Sequence, residues 1–99
     1  EIHISPNNKF LDASIRGETN KVFSFEILKN GVLKLQGSEA VDGVGPRNFS
    51  IHPSGKFLLV ANQRSNNIVV FKINPNTGAL KNTGNQISLP SPVSLQWIP

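Results

Sequence analysis

The chain has 99 residues, of which 37% are hydrophobic and 16% are charged, a composition that excludes a disordered segment. It contains no cysteine, which excludes disulfides, thiolate catalysis and cysteine-based metal sites. The formal net charge is +4, but the 10 Lys and Arg residues form no basic run and no apolar run approaches the ~18 residues of a membrane span, so we expect neither nucleic acid nor membrane as a partner.

The first predicted element is a strand at the start of the chain, where Ile2 and Ile4 alternate with polar residues. The pattern starts without an initiator Met, so we interpret the chain as part of a longer one. The residues that follow recur about 47 positions later, with one extra residue in the first copy near Gly17. A period of about 40–50 residues made of short strands is typical of propeller blades. The matched pairs are Ile4 with Ile51, Pro6 with Pro53, Phe10 with Phe57, Gly31 with Gly78, and Leu33 with Leu80.

The second copy shows four strands in succession. Phe49 and Ile51 alternate with polar residues, residues 57–61 form a continuous apolar run, and residues 68–73 are rich in β-branched side chains. A turn cluster then leads to a weaker and more polar strand over residues 80–89. Four strands that run from apolar to polar match the blade of a β-propeller. No segment has the helical period, so we expect no helix.

These patterns predict an all-β fold with two four-stranded antiparallel blades of a β-propeller, over residues 1–45 and 46–91. A third copy begins at Pro92 and stops, so we expect residues 92–99 to form a strand that starts or closes a further blade. A propeller needs about four to eight blades, because each blade buries its apolar faces only against its neighbours. We therefore interpret the whole chain as a fragment of one propeller domain, with the remaining blades, or further copies of the chain, as partners.

Two segments of the second copy, PRNFSIHPSGK at 46–56 and ANQRSNNIVVF at 61–71, resemble the last full repeat of the lactonase family, and PSPVSL at 90–95 resembles its C-terminus. The resemblance implies a seven-bladed propeller without a cofactor that hydrolyses a sugar lactone such as 6-phosphogluconolactone, in the pentose phosphate pathway. The first copy is less similar. Asp12 stands where the family usually carries Tyr or another large residue, and Ile15 where it usually carries Asn or Asp.

Two other functions stay open. A propeller fold alone does not imply an activity, and the departures at Asp12, Ile15 and Glu18, which alter the loop near Arg16, modestly favour a non-catalytic scaffold or ligand-binding module. The family also contains carboxymuconate-lactonising enzymes, so a lactonising cyclase is a further alternative. We expect a cytoplasmic location, with which the absence of cysteine is compatible.

Strand direction predicts which loops meet at one mouth of the propeller. In an up-and-down blade, the loop that enters the first strand and the loop between the second and third strands emerge at the same rim. Arg is suited to bidentate binding of a phosphate or carboxylate, and amides are suited to sugar hydroxyls. The alternatives are salt bridges between blades for the Arg residues and turn formation for the amides. We therefore predict that a small lactone or another anionic ligand is bound by the Arg and amide residues of these loops, which are Arg16, Arg47, Asn48, Asn62 and Gln63.

A general base is harder to predict. Glu18 is the only carboxylate in the loops between second and third strands, and it is a weak candidate. We expect His3 and His52 at the opposite rim in structural roles, and the sequence has no Ser-His-Asp spacing and no metal-ligand cluster. The base is therefore expected on blades outside the chain, and the 99 residues alone are not expected to be active.

Overall fold

The computed structural model describes residues 1–15 and 20–88, without the side chains of Ile15 and Arg47. The first sheet contains β1 (Ile2–Ile4), β2 (Phe10–Ile15), β3 (Lys21–Ile27) and β4 (Leu33–Ala40). The second sheet contains β5 (Pro46–Ile51), β6 (Phe57–Asn62), β7 (Asn67–Ile73) and β8 (Leu80–Ser88). In each sheet the four strands pair antiparallel in chain order, and the described residues contain no helix. The prediction of an all-β fold with two four-stranded blades is confirmed.

The same irregularity occurs at matching places in the two blades. β3 and β4 shift register between Ser24 and Phe25, and β7 and β8 shift between Val69 and Phe71. A shift of this kind bends a strand and increases its local twist. The repeat in the sequence is therefore also a repeat in the backbone geometry of the outer strand pair.

The apolar core lies between the two blades. Phe49, Leu58, Val60 and Phe71 of the second blade are fully buried, each 0% exposed, and they cluster with Val22 of β3 in the first blade. Burying a large apolar side chain stabilises a fold by about 1.5–3 kcal/mol. The core therefore belongs to the contact between blades rather than to either sheet alone, as expected for radially stacked sheets.

One turn approaches this core so closely that it requires glycine. Gly78 has a φ of +76°, and a Cβ built there would lie 2.5 Å from Cδ1 of Phe10. The Phe10 ring is only 4% exposed. The β7–β8 turn of the second blade therefore packs directly on the second strand of the first blade.

The face of the first blade that points away from the second blade is apolar and partly exposed. Ile4, Leu11, Phe25 and Leu35 are aligned in one row across its four strands. Ile4 and Leu35 are 56% and 57% exposed. A propeller blade buries a row of this kind against its neighbour, so the open row matches a fold in which a further blade precedes this one.

The strands of the two blades cover residues 2–40 and 46–88. The predicted ring-closing strand over residues 92–99 lies outside the described residues, and it stays a prediction together with the predicted ends of the two blades. The part of the chain that the structure describes holds no candidate membrane-spanning helix.

Candidate functional site

The loop between β6 and β7 lies beside the loop that enters β5. The backbone N–H of Gln63 donates to the carbonyl of Gly45 at 2.9 Å, and Pro46 pairs with Asn62 across β5 and β6. The start of β5, where Arg47 lies, is therefore adjacent to the β6–β7 loop. The structure thus brings together the two loops of the second blade that the strand-direction argument assigned to one rim.

Arg47 occupies an irregular position of the ladder. The pairing of β5 with β6 shifts register between Pro46 and Asn48, so Arg47 has no Cα partner on β6. Bulges are common next to active sites, where they change the direction of a side chain. The side chain of Arg47 is not described, and Arg16 and Glu18 lie outside the described residues. The proposed contacts of these three residues with a ligand stay predictions.

Asn62 is held inside the contact between the blades. Its side chain is 0% exposed, and its Nδ2 donates to the carbonyl of Val41 at 3.0 Å. Its Oδ1 is buried without a hydrogen-bond partner. Asn62 therefore anchors the loop that connects the blades, and the predicted ligand contact of its side chain requires this loop to move.

A second amide, which sequence reasoning missed, holds the same connecting loop. Nδ2 of Asn67 donates to the carbonyl of Asp42 at 3.0 Å and to Oε1 of Gln86 at 3.1 Å, while its Oδ1 accepts from the hydroxyl of Ser65 at 2.6 Å. The Ser65 hydroxyl in turn accepts from the backbone N–H of Val44 at 2.8 Å. These side chains tie the connecting loop to the β6–β7 loop, and they thereby position the start of β5. The only signal in the sequence is a pair of adjacent Asn residues, which is also typical of an ordinary turn.

The first blade contributes a carboxylate to this rim. Nδ2 of Asn48 donates to Oε2 of Glu1 at 3.0 Å, which links the first strands of the two blades. Oε1 of Glu1 lies 2.9 Å from Nε2 of His3. The His3 ring packs edge-on against Phe49, with ring centroids 4.7 Å apart and an interplanar angle of 71°. Asn48, which was predicted to bind the ligand, therefore also connects the blades through Glu1.

The two histidines occupy different environments. His52 follows β5 at the opposite rim, as expected, and its Nδ1 accepts from the backbone N–H of Ser54 at 3.0 Å. His3 was expected at that rim too, but it pairs with Asp12 within the sheet and its side chain reaches Glu1. Residues two apart in a strand point to the same face, so the side chain of His3 lies next to that of Glu1.

Asp12 lies buried between the blades and is 2% exposed. Desolvation by burial raises the pKa of its carboxyl group to about 6, while a hydrogen bond with the Ser24 side chain and the electrostatic effect of His3 act in the opposite direction. Oδ1 of Asp12 has no hydrogen-bond partner. Asp12 is therefore a titratable group in an interface, with too little exposure to meet a ligand from the mouth.

The described part of the rim combines a positioned carboxylate with amide groups. The carboxylate of Glu1 can accept a proton, and the amides of Asn48 and Gln63 can donate to hydroxyl or carbonyl oxygens. Residues 1–15 and 20–88 contain no group of three His, Asp or Glu side chains placed to hold a metal ion.

Nearly the whole length of the chain matches one known protein family. A family profile described as "Lactonase, 7-bladed beta-propeller" matches residues 1–97. The chain belongs to the lactonase family. The match confirms both the family and the propeller blades that the sequence predicted. We refer to the 99-residue chain below as the lactonase segment.

Two curated relatives of the lactonase segment are both named 6-phosphogluconolactonase. A 6-phosphogluconolactonase from Formosa agariphila is 51% identical over 98 residues, which are 97% of this chain and 28% of the relative. A 6-phosphogluconolactonase from Yersinia pseudotuberculosis serotype O:3 (strain YPIII) is 40% identical over 81 residues, which are 81% of this chain and 24% of the relative. The lactonase segment thus spans roughly a quarter of the length of these relatives.

Solved structures show the same blades. A Bacteroides fragilis structure superposes with a TM-score of 0.96 at 38% identity, over 100% of this chain and 28% of the other. The periplasmic gluconolactonase PpgL of Pseudomonas aeruginosa superposes with a TM-score of 0.96 at 32% identity, over 100% of this chain and 28% of the other. The lactonase segment therefore has the backbone of two adjacent blades in larger propellers.

Proposed function

We propose that the chain supplies two adjacent blades of a complete lactonase propeller that hydrolyses a sugar lactone such as 6-phosphogluconolactone. The observation that carries this proposal is the family match over residues 1–97, together with relatives that bear the name 6-phosphogluconolactonase. Because the chain covers roughly a quarter of those relatives, the activity is proposed for the complete ring.

The proposed role of these two blades is to hold the anionic end of the substrate. Arg47 binds the phosphate or carboxylate group, assisted by Arg16, because a guanidinium forms paired charge-assisted hydrogen bonds with such groups. Asn48 and Gln63 bind sugar hydroxyls, and Asn62 contributes by anchoring the connecting loop. Support comes from the backbone bond between the two loops and from the irregular ladder position of Arg47 at the start of the first strand.

The proposed function has two versions, which differ in whether the lactone substrate carries a phosphate group. Relatives of the chain are called 6-phosphogluconolactonase, whereas the P. aeruginosa neighbour is called a periplasmic gluconolactonase. The two Arg residues that the sequence predicts at one mouth, Arg16 and Arg47, favour an anionic substrate. We therefore propose the phosphorylated lactone of the pentose phosphate pathway, and with it a cytoplasmic location, since phosphorylated sugars do not diffuse across membranes. Cell fractionation tests the location.

The activity is tested by following acid release in a pH-stat with the complete propeller, on 6-phosphogluconolactone and on gluconolactone. Arg47→Ala is expected to weaken the binding of the phosphorylated lactone by about 10–100-fold, the loss that follows from removing one charged hydrogen-bonding partner. The effect on gluconolactone is expected to be smaller. Lys56→Ala, which removes a cation from the exposed turn at the opposite rim, is the matched control. Equal kinetics of wild type and Arg47→Ala would remove Arg47 from the site.

The alternatives predict different results with the same protein. A scaffold or ligand-binding propeller binds the lactone without turnover, and a lactonising cyclase closes an unsaturated dicarboxylate into a lactone rather than opening one.

We propose that residues 1–45 and 46–91 act as successive blades and that residues 92–99 close the ring. A ring built from several copies of the 99-residue chain would instead show a solution mass of three or four chains.

A further inference from the structure

The loop that connects the blades, residues 41–45, runs directly into β5, the strand that carries Arg47. The proposed function assigns the anionic group of the substrate to Arg47. We propose that Asn67 is a positioning residue for Arg47: its side-chain amide fixes the connecting loop and thereby sets the preference for a phosphorylated lactone over an uncharged one. This inference rests on the proposed function, and it adds a residue that determines specificity without touching the substrate.

The sheet by itself does not fix the backbone at Arg47. The register of β5 and β6 shifts between Pro46 and Asn48, so Arg47 has no Cα partner on β6. Pro46, which precedes it, has no backbone N–H to donate to a ladder. A residue at such a shift takes its direction from its chain neighbours. The backbone direction at Arg47 therefore depends on the loop that leads into β5.

Both ends of the connecting loop are held by hydrogen bonds to its backbone. Asn20 of the first blade accepts from the N–H of Val41 at 3.0 Å through its carbonyl, and from the N–H of Gly45 at 3.1 Å through Oδ1. In the second blade, the backbone N–H of Arg64 donates to the carbonyl of Val44 at 3.1 Å. The loop is therefore attached to both blades, and what remains to be fixed is its middle.

Asn67 holds the middle of the loop. Its Nδ2 donates to the carbonyl of Asp42 at 3.0 Å. Its Oδ1 accepts from the hydroxyl of Ser65 at 2.6 Å, and that hydroxyl accepts from the backbone N–H of Val44 at 2.8 Å. Asn67 is 8% exposed and begins β7, where it is paired with strands on both sides. One amide thus connects the ladder of the second blade to two positions of the loop.

Close packing makes the loop respond as a unit. A Cβ built at Gly43 would lie 2.5 Å from Nδ2 of Asn62, and it would also overlap Oγ of Ser65. The Asn62 side chain is 0% exposed, so it has no free space into which it can move away. A loop that fits this closely cannot shift at Asp42 alone. Loss of the Asn67 amide is therefore expected to displace the loop up to the start of β5.

The blade fold does not require an amide at this position. Lys21 stands at the corresponding place in the first copy, 46 residues earlier, and it begins β3 as Asn67 begins β7. A Lys side chain has no acceptor and cannot replace both contacts of an Asn amide. Since a blade of the same architecture forms with Lys21, the contacts of Asn67 are explained by the loop that it holds.

The two lactones respond differently to a displaced Arg47. A guanidinium binds a phosphate best when two of its N–H groups meet two oxygens, a geometry that is lost when the groups are misplaced. Gluconolactone carries no phosphate for Arg47 to bind. A change at Asn67 should therefore weaken the binding of the phosphorylated lactone and leave that of gluconolactone nearly unchanged.

Asn67→Ala in the complete propeller is the direct test, with acid release followed on 6-phosphogluconolactone and on gluconolactone. We expect KM for the phosphorylated lactone to rise by about 10-fold, while kcat and the KM for gluconolactone change by less than about twofold. A merely structural role would lower the unfolding midpoint and the apparent kcat for both lactones, without this difference in KM.

Asn74→Ala is the matched control. It makes the same chemical change in the same blade, at a turn of the opposite rim, where Oδ1 of Asn74 accepts from the backbone N–H of Asn76 at 2.9 Å. Asn74→Ala should leave the ratio of the two KM values at the wild-type level. An equal change of this ratio in Asn74→Ala and Asn67→Ala would show a general loss of stability and overturn the inference.

A double-mutant cycle shows whether Asn67 acts through Arg47. In the Arg47→Ala background, Asn67→Ala should change KM for the phosphorylated lactone by less than about twofold, because the group that it positions is gone. An equal rise of KM in both backgrounds would show that Asn67 acts elsewhere, and the inference would fail.

The outcomes distinguish this inference from the proposed function. If Arg47→Ala raises KM for the phosphorylated lactone and Asn67→Ala does not, the inference is overturned and the proposed function stands. If the wild-type propeller turns over none of the lactones, both fail. Should Asn67→Ala unfold, Ser65→Ala removes the link between Asn67 and Val44 at an exposed residue, and an unchanged KM in that variant would overturn the inference.

Discussion

Asp12 makes the stability of the blade contact depend on pH, in a direction opposite to that of most carboxylates. Burial raises the pKa of its carboxyl group from 3.8 to about 6. Between these values the folded protein holds a proton that the unfolded chain has already released. Stability therefore falls as the pH rises through this range. Below pH 3.8 the Asp12 carboxyl group is protonated in both the folded and the unfolded protein. Above pH 6 it is ionised in both, and the folded protein bears the full free-energy cost of the buried charge.

The magnitude follows from the difference between the two pKa values. A difference of about two corresponds to about 3 kcal/mol, since one pKa unit is about 1.36 kcal/mol. Asp12→Asn has nearly the same shape and cannot ionise, so it should lack this dependence. We expect the free energy of unfolding of Asp12→Asn, minus that of the wild type, to increase by about 2 kcal/mol between pH 4 and pH 7, since Asp12 of the unfolded chain is already partly deprotonated at pH 4.

Urea unfolding of the complete propeller at 25 °C, at pH intervals from 4 to 7.5, measures this difference. Groups that do not interact with Asp12 titrate alike in both proteins and cancel in the subtraction. Asp12→Leu, which places at this position the residue that the second copy carries as Leu59, should show the same pH dependence of the difference. Glu39→Gln changes an exposed carboxylate and should give a flat difference. Parallel curves for Asp12→Asn and wild type over the whole range would refute the reasoning.

Two further substitutions test the contact between the blades. Gly78→Ala should destabilise the propeller, because Gly78 has a φ of +76° and a Cβ there meets the Phe10 ring; an unchanged unfolding midpoint would contradict the contact. Phe49→Ala should cost about 3–5 kcal/mol in urea unfolding, since the side chain is 0% exposed. An unchanged urea midpoint for Phe49→Ala would show that the core lies elsewhere.

The blade architecture was predictable because a blade repeats its own physical requirements. Each copy needs an alternating first strand, an apolar second strand and a turn with glycine at a positive φ, and Gly31 and Gly78 mark this turn in both copies. The shared register shift near Phe25 and Phe71 is a consequence of the same repeat. Periodic patterns of this kind depend only on neighbours along the chain, so they can be read without coordinates.

The rim was predictable only at the level of the backbone. Strand direction correctly places Asn48 and Gln63 at adjacent loops, but it does not show what their side chains contact. Asn62 turned out to be an anchor for the connecting loop, and Asn48 a partner of Glu1. The angle at which two blades stack determines these contacts, and no local pattern encodes that angle.

The sequence by itself determined the family, the all-β fold and the four-stranded repeat, because periodicity and local turn chemistry are properties of short segments. Only the tertiary structure decided which polar groups meet between the blades. Glu1 and Asn48 are 47 positions apart and form one hydrogen bond across two sheets. The sequence marks Asp12 only as a departure from the family pattern, and its pKa is raised only because folding buries the carboxyl group.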